Sequence, residues 1–138
     1  MKTVVVGVAD TETSMKAAHQ AAELARALGA KLHLVSAVPH RGVQTISGGG
    51  ETWTFTDMDL AEDHLESLEV ALGENLEISS AVVYGEPAKG IVGEAERIGA
   101  DIIVVGSVRT SGIGRVLGSV AGDVLKQAPC AVHVAKTT

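Results

Sequence analysis

The residues best equipped for chemistry lie where Asp101-Ile102-Ile103-Val104-Val105 runs into Gly106-Ser107-Val108-Arg109-Thr110-Ser111-Gly112-Ile113-Gly114-Arg115-Val116-Leu117-Gly118-Ser119-Val120. The order reads as a buried strand, a glycine- and serine-rich loop, and the start of a helix. Parallel α/β folds hold phosphates at that junction, because free backbone N–H groups and the helix dipole both favour an anion. Ser107, Arg109, Ser111, Arg115 and Ser119 add side-chain donors. A phosphate cradle therefore outweighs a plain crossover loop as the reading of this segment. After the first strand, Asp10 is placed to hold a ribose hydroxyl or a magnesium-bound phosphate, and equally placed as an acid favoured at a helix start. Gly85 allows close approach at the end of another strand.

Other chemistries find less support. Gly112-Ile113-Gly114-Arg115-Val116-Leu117-Gly118 has the wrong last spacing for a dinucleotide fingerprint and follows the fourth strand. The chain has no Gly-Lys-Ser/Thr, which argues against a Walker-type NTPase. Ser47-Gly48-Gly49-Gly50 looks like the phosphate loop of some ATP pyrophosphatases, but it follows the second strand rather than the first. His19, His33, His40, His64 and His133 are scattered without metal-ligand spacing, so each is read as a surface or core residue. Cys130 reads as a buried, inert thiol. Neither a nucleophile elbow nor a paired-carboxylate pattern occurs. No catalytic residue and no metal site are assigned.

The elements that must position the loop follow from periodicity. Val4 to Val8 is a β-branched apolar run, hence a buried strand. Ser14 to Leu28 is helical, with Ala17, Ala18, Ala21, Leu24, Ala25 and Leu28 along its inner face and Gly29 ending it. Leu32 to Val38 is the second strand. Residues 40–56 read as one long loop containing the glycine run and the only Trp and Phe, and so as functional or mobile. Asp57 to Leu72 is a helix, with Leu60, His64, Leu65, Leu68 and Leu72 facing inward. Ile78 to Val83 is the third strand. A helix beginning near Pro87 buries Ile91, Ala95 and Ile98 and closes at Gly99. Ile102 to Val105, Gly118 to Gln127 and Ala131 to Ala135 supply a strand, a helix and a last strand.

Strands alternating with helices call for an α/β fold: one doubly wound, Rossmann-like, five-stranded parallel sheet of order 3-2-1-4-5 with helices on both faces. One domain over residues 1–138 is expected, since that length suffices for a real core. With three aromatic residues in the chain, the core must be Val, Ile, Leu and Ala, which suits helices packed on a buried parallel sheet. In such a fold ligands bind at the carboxyl ends of the strands, where the order reverses. The loops after Val8 and Val105 then face each other across one pocket.

A net charge of −6 argues against nucleic acid as a main partner. The longest apolar runs fall short of a membrane span, and a lone cysteine suits a reducing compartment. A soluble, cytoplasmic protein is expected.

In its ordering the chain resembles the universal stress protein family. Val5-Val6-Gly7-Val8 with Ser14 and Ala17, Gly85-Glu86-Pro87-Ala88, Ala100 to Ser107, Leu117-Gly118-Ser119-Val120, and Ala128-Pro129-Cys130 with Val132 carry the likeness. The resemblance implies ATP binding, with or without magnesium, and dimerisation through the last strand. The family's ATP-binding branch carries Gly-x2-Gly-x9-Gly-Ser/Thr. Gly106 and Gly118-Ser119 match it; Arg109 stands at the second glycine, and the loop is one residue shorter. Ala9 stands where the family favours Asp. The resemblance carries the phosphates to Gly106, Ser107, Arg109, Gly118, Ser119 and Val120, and the adenosine to Val8, Ala9, Asp10 and Ala37.

Two functions follow as expectations. One is an adenine-nucleotide-binding regulator of the stress response, hydrolysing ATP slowly if at all, since no general base can be named. The alternative is a nucleotide-free dimeric scaffold whose surface recruits partners. A homodimer through residues 131–136 serves either, because the last strand has an open edge without Pro or charge to protect it.

Overall fold

The consecutive valines Val4, Val5 and Val6 are all 0% exposed, which requires apolar cover on both faces of the strand that carries them. The computed structural model, which describes residues 2–9, 12–38, 43–73, 75–107 and 118–137, supplies that cover. Strand β1 (Thr3–Gly7) leads to helix α1 (Glu12–Leu28) and strand β2 (Lys31–Val38). A hairpin follows, β3 (Val43–Gly48) and β4 (Glu51–Thr56), and then α2 (Asp57–Leu72). The chain continues through β5 (Ile78–Tyr84), α3 (Pro87–Ile98), β6 (Ile102–Gly106), α4 (Ser119–Gln127) and β7 (Ala131–Ala135).

The main sheet has the order β5-β2-β1-β6-β7, every pair parallel. Counted without the hairpin, this is the expected 3-2-1-4-5. Val4, Val6, Leu32, Leu34 and Val104 pack against α1 and α2 on one face. Val5, Val35, Ile103 and Val105 pack against α3 and α4 on the other. The alanines of α1, namely Ala17, Ala18, Ala21, Ala22 and Ala25, are buried and bring that helix close to the sheet. Gly90 does the same for α3, since a Cβ there would lie 2.7 Å from Val83 Cγ2.

Helix ends follow local chemistry. Gly29 and Gly99 adopt left-handed φ of 64° and 68° and end α1 and α3. In each case the following residue closes a six-residue ring, Ala30 N–H to Ala25 O at 2.8 Å and Ala100 N–H to Ala95 O at 2.9 Å. Thr56 caps α2: its Oγ1 accepts from Asp59 N–H at 3.0 Å, and Asp59 Oδ2 accepts from Thr56 N–H at 3.2 Å.

Three expectations need correction. Residues 43–56 are an antiparallel hairpin, not part of a structureless loop. Gly49 and Gly50 take φ of 58° and 81°, the pair of positive values that a tight hairpin turn demands. Leu28 and Leu60 are 41% and 38% exposed rather than inward; the narrow alanine seam of α1 ends before Leu28, and α2 seats only Leu65, Leu68 and Leu72. His64 is half-buried at the margin of that seam, and Cys130 is half-buried rather than fully enclosed. Burial, and then the charge of Asp101, push the Cys130 thiol up, which keeps it protonated and unreactive.

One polar group breaks the apolar rule on the α3 face. His33 of β2 is 5% exposed and its Nε2 lies 2.9 Å from Oε1 of Glu94, itself 5% exposed on α3. Arg97 grips the same carboxylate, with Nε 2.9 Å from Oε2 and a second bond from its Nη2 to Oε1. These Arg97 bonds, aided by His33, bring Glu94 from an ordinary 4.5 down to about 2 against the opposing effect of burial. A carboxylate held low stabilises the fold above its ordinary value, and that contribution drains away as pH falls from 4.5 towards 2. Glu94→Gln should therefore cost about 1–3 kcal/mol at neutral pH. Thermal unfolding of the wild type should weaken faster than that of Glu94→Gln as the buffer is taken through this acid window. Parallel pH dependence in the two proteins would contradict the assignment.

Candidate functional site

The reversal of strand order sits at β1, which has β2 on one side and β6 on the other. The chain leaves β1 and β6 in opposite directions around the sheet, and the gap between them opens at their carboxyl ends. A pocket of about 220 Å³ occupies it, lined mainly by Gly7, Val8, Ala9, Val35, Ala37, Val105 and Gly106 from the strands and their exits. Thr13, Ser14 and Ala17 of α1, Pro87 and Ile91 of α3, and Val120 of α4 complete the lining.

Half of the ten residues assigned from the sequence line this pocket. Val8, Ala9, Ala37, Gly106 and Val120 all line the pocket. Ser107 follows Gly106 directly, and its carbonyl receives the Gly118 N–H at 3.4 Å, which brings the start of α4 to the end of β6. Gly118 is the N-cap of that helix and Ser119 its first residue, so the helix dipole opens beside the pocket. Asp10, Arg109, Ser111 and Arg115 lie outside the described residues.

The pocket's lining is mostly apolar, with Thr13 and Ser14 as its hydroxyl-bearing members. Val8, Val35, Ile91, Val105 and Val120 give an apolar slot suited to a flat heterocycle. Polar groups gather at the α1 and β6 margins. The Ala9 N–H donates to Ser14 Oγ at 2.6 Å, which ties the exit of β1 to the first turn of α1.

Sequence reasoning overlooked one group, Thr137. It is 4% exposed, and its Oγ1 has no hydrogen-bond partner among the described residues. A Cβ built on Gly106 would lie 3.7 Å from that oxygen, so the hydroxyl stands against the strand end that floors the pocket. The Thr137 N–H donates to Ser107 Oγ at 3.2 Å, and Ser107 N–H donates to Ala135 O at 2.8 Å, fixing the segment after β7 beside β6. A threonine beyond the last strand carries no periodic signal, and only the parallel pairing of β6 with β7 reveals its position. Pro87 and Ile91 were read as a helix start and a core position; the crossover brings both to the pocket as well.

A buried hydroxyl without a partner costs free energy. Thr137→Val should thus leave the ligand-free protein equally stable, or raise its stability by up to about 1 kcal/mol, as measured by thermal unfolding. A clear loss of stability would mean that the hydroxyl already has a structural partner.

Comparison with known proteins bears on this geometry. The profile of the universal stress protein family matches residues 1–136. The universal stress protein Rv1636 of Mycobacterium tuberculosis is 34% identical over 145 residues, covering 99% of this chain and 97% of that protein. A universal stress protein crystallised in complex with cAMP superposes with a TM-score of 0.74 at 28% identity, over 99% of this chain and 98% of the other. The universal stress protein of Archaeoglobus fulgidus in complex with dAMP superposes with a TM-score of 0.69 at 28% identity, over 97% of each chain.

Proposed function

Since the chain belongs to the universal stress protein family, we propose that it binds an adenine nucleotide in the pocket between β1 and β6 and acts as a nucleotide-dependent regulator of the stress response. The observation that carries this reading is an apolar slot with polar groups standing beside it. The slot is lined by Val8, Ala9, Ala37, Ile91 and Val120. Beside the lining stand Ser107, whose carbonyl accepts from Gly118 at the start of α4, and the Thr137 hydroxyl, which has no hydrogen-bond partner among the described residues. Adenine fits the first by dispersion and burial, and phosphate fits the second by hydrogen bonds and the helix dipole. The two related proteins crystallised with cAMP and dAMP support the choice of adenosine phosphates over other anions.

ATP, with or without magnesium, is the nucleotide we assign. Ser107, Ser119 and the first N–H groups of α4 would receive the phosphates, with Arg109 supplying charge, while Val8, Ala9, Asp10 and Ala37 border the adenosine. Any hydrolysis of the bound nucleotide is expected to be slow, in keeping with a protein that holds and senses nucleotide.

Titration calorimetry with Mg-ATP, AMP and cAMP, alongside mass analysis of nucleotide carried through purification, tests the reading. Micromolar binding of Mg-ATP is expected, and Gly118→Val combined with Ser119→Ala should weaken it by more than about tenfold, or 1.4 kcal/mol. Preference for AMP or cAMP would retain the site and change its ligand. Absence of binding at millimolar concentration would instead favour a nucleotide-free scaffold.

The homodimer is a separate part of the proposal. Strand β7 closes the sheet order and leaves one backbone edge without a partner strand among the described residues. Antiparallel pairing of β7 with β7 of a second copy would satisfy that edge and generate a twofold axis. Sedimentation at micromolar concentration should give twice the chain mass, with or without nucleotide. A monomer would remove the dimer from the proposal and leave the pocket intact.

A further inference from the structure

On the α3 face, towards the opposite end of β2 from the pocket, three side chains with no part in nucleotide binding stand in line. Ser79 Oγ lies 2.6 Å from His33 Nδ1, and His33 Nε2 lies 2.9 Å from Glu94 Oε1. His33 and Glu94 are buried, whereas Ser79 is exposed on β5, the edge strand of the sheet. The order is hydroxyl, imidazole, carboxylate, with only the hydroxyl reaching solvent. We propose that Ser79 is a nucleophile, activated by His33 and oriented through Glu94, that accepts the acyl group of a small uncharged activated ester or thioester.

Hydrogen-bond accounting sets the direction of proton movement. Glu94 is ionised and can only accept, so His33 Nε2 donates to it. In the neutral ring Nδ1 is then the acceptor, and the Ser79 hydroxyl donates to it. The proton that must leave Oγ already points at a base, and the imidazolium formed on losing it finds a fixed anion at its other nitrogen. Arg97 holds that carboxylate in place from the helix side. The serine meets the imidazole through Nδ1 and the carboxylate through Nε2, but the chemical roles need only one basic and one donating nitrogen.

The free strand edge supplies a second element. Leu32 N–H donates to Glu77 O and Gly85 N–H donates to Val38 O, each at 2.8–2.9 Å. Residues of β5 alternate in parallel pairing, so those at odd numbers from 77 to 85 face β2. The Ser80 N–H accordingly points to the open edge, immediately after the nucleophile, where a developing oxyanion could be met. Nearby charge selects an uncharged substrate. Lys31 is paired with Glu77 at 3.1 Å and Arg97 with Glu94, so each nearby cation already has a carboxylate partner.

The step balances as follows. Ser79 Oγ attacks the carbonyl carbon and forms a C–O bond, while its proton passes to His33 Nδ1. The tetrahedral adduct collapses with loss of the alcohol or thiol, which takes up that proton. Acyl-Ser79 and the free leaving group remain. Nothing is oxidised or reduced. An exposed hydroxyl with one backbone donor suits acceptance of a single acyl group better than repeated turnover.

The full-length protein should be incubated with p-nitrophenyl acetate and, separately, with a fluorophosphonate, then digested and mapped by mass spectrometry. One acetyl group, or one phosphonyl group, is expected on Ser79. The rate of p-nitrophenolate release should fall by about a hundredfold or more in His33→Gln and in Ser79→Ala. Ser79→Ala alters an exposed side chain and serves as the variant whose folding is not at issue; circular dichroism checks His33→Gln. Wild-type protein that acquires no group, or acquires it on lysine, would overturn the proposal. So would acylation of Ser79 at an unchanged rate in a folded His33→Gln variant.

Discussion

Burial of β1 on both faces is the constraint from which the rest of this structure follows. Val4 and Val6 turn to one side and Val5 to the other, and none retains contact with water. A strand so placed cannot be an edge, so β2 and β6 must flank it, and helices must cover it above and below. Right-handed crossovers then send the chain one way around the sheet after β1 and the other way after β6. The opening between their carboxyl ends is a by-product of that winding. The site follows from the same hydrophobic burial that makes the fold stable.

Packing distance is the second consequence. Helices reach a β-branched sheet closely only if their inner residues are small, and here they are: five buried alanines on α1, and Gly90 against Val83 on α3. Close approach of both helices narrows the switch-point gap to a slot rather than a trough. Ala17 and Ile91 act in both capacities, as core residues and as walls of the pocket. The apolar half of the site is therefore continuous with the core, and only its polar half had to be added at the strand ends.

The sequence disclosed what hydrophobic burial dictates. Valine runs marked β1 and β6, the heptad of Leu65, Leu68 and Leu72 marked α2, and Gly29 and Gly99 marked helix ends; the sheet order and the facing of the loops after Val8 and Val105 followed from them, while Ala9, Ala37 and Val120 were reached only through the family resemblance. It concealed features that depend on pairing. Gly48-Gly49-Gly50 looks like a loop until Val43 to Gly48 is laid antiparallel against Glu51 to Thr56, when the glycines become a turn. Thr137 becomes part of the site's surroundings only through the register of β7 on β6. His33 and Glu94 are 61 residues apart, and no local pattern joins them. Leu28 and Leu60 erred in the opposite sense, because periodicity extends an apolar stripe beyond the width the sheet can cover.

The His33–Glu94 contact also bears on how the two ends of the fold relate. Ile91 walls the pocket, and one turn further along the same helix Glu94 reaches His33 on the second strand. A polar pair in that position fixes the register of α3 along β2 more sharply than apolar packing does, because sliding by one residue would leave a buried carboxylate and a buried imidazole without partners. Arg97 at the exposed rim completes the lock by neutralising the carboxylate. The position of Ile91, and with it the width of the slot, is thereby tied to a hydrogen-bonded chain ending at Ser79 on the open edge. Substitution within that chain acts on the pocket through α3, which carries Ile91, and through β2, which carries Val35 and Ala37, whereas substitution at Gly118 or Ser119 acts through α4.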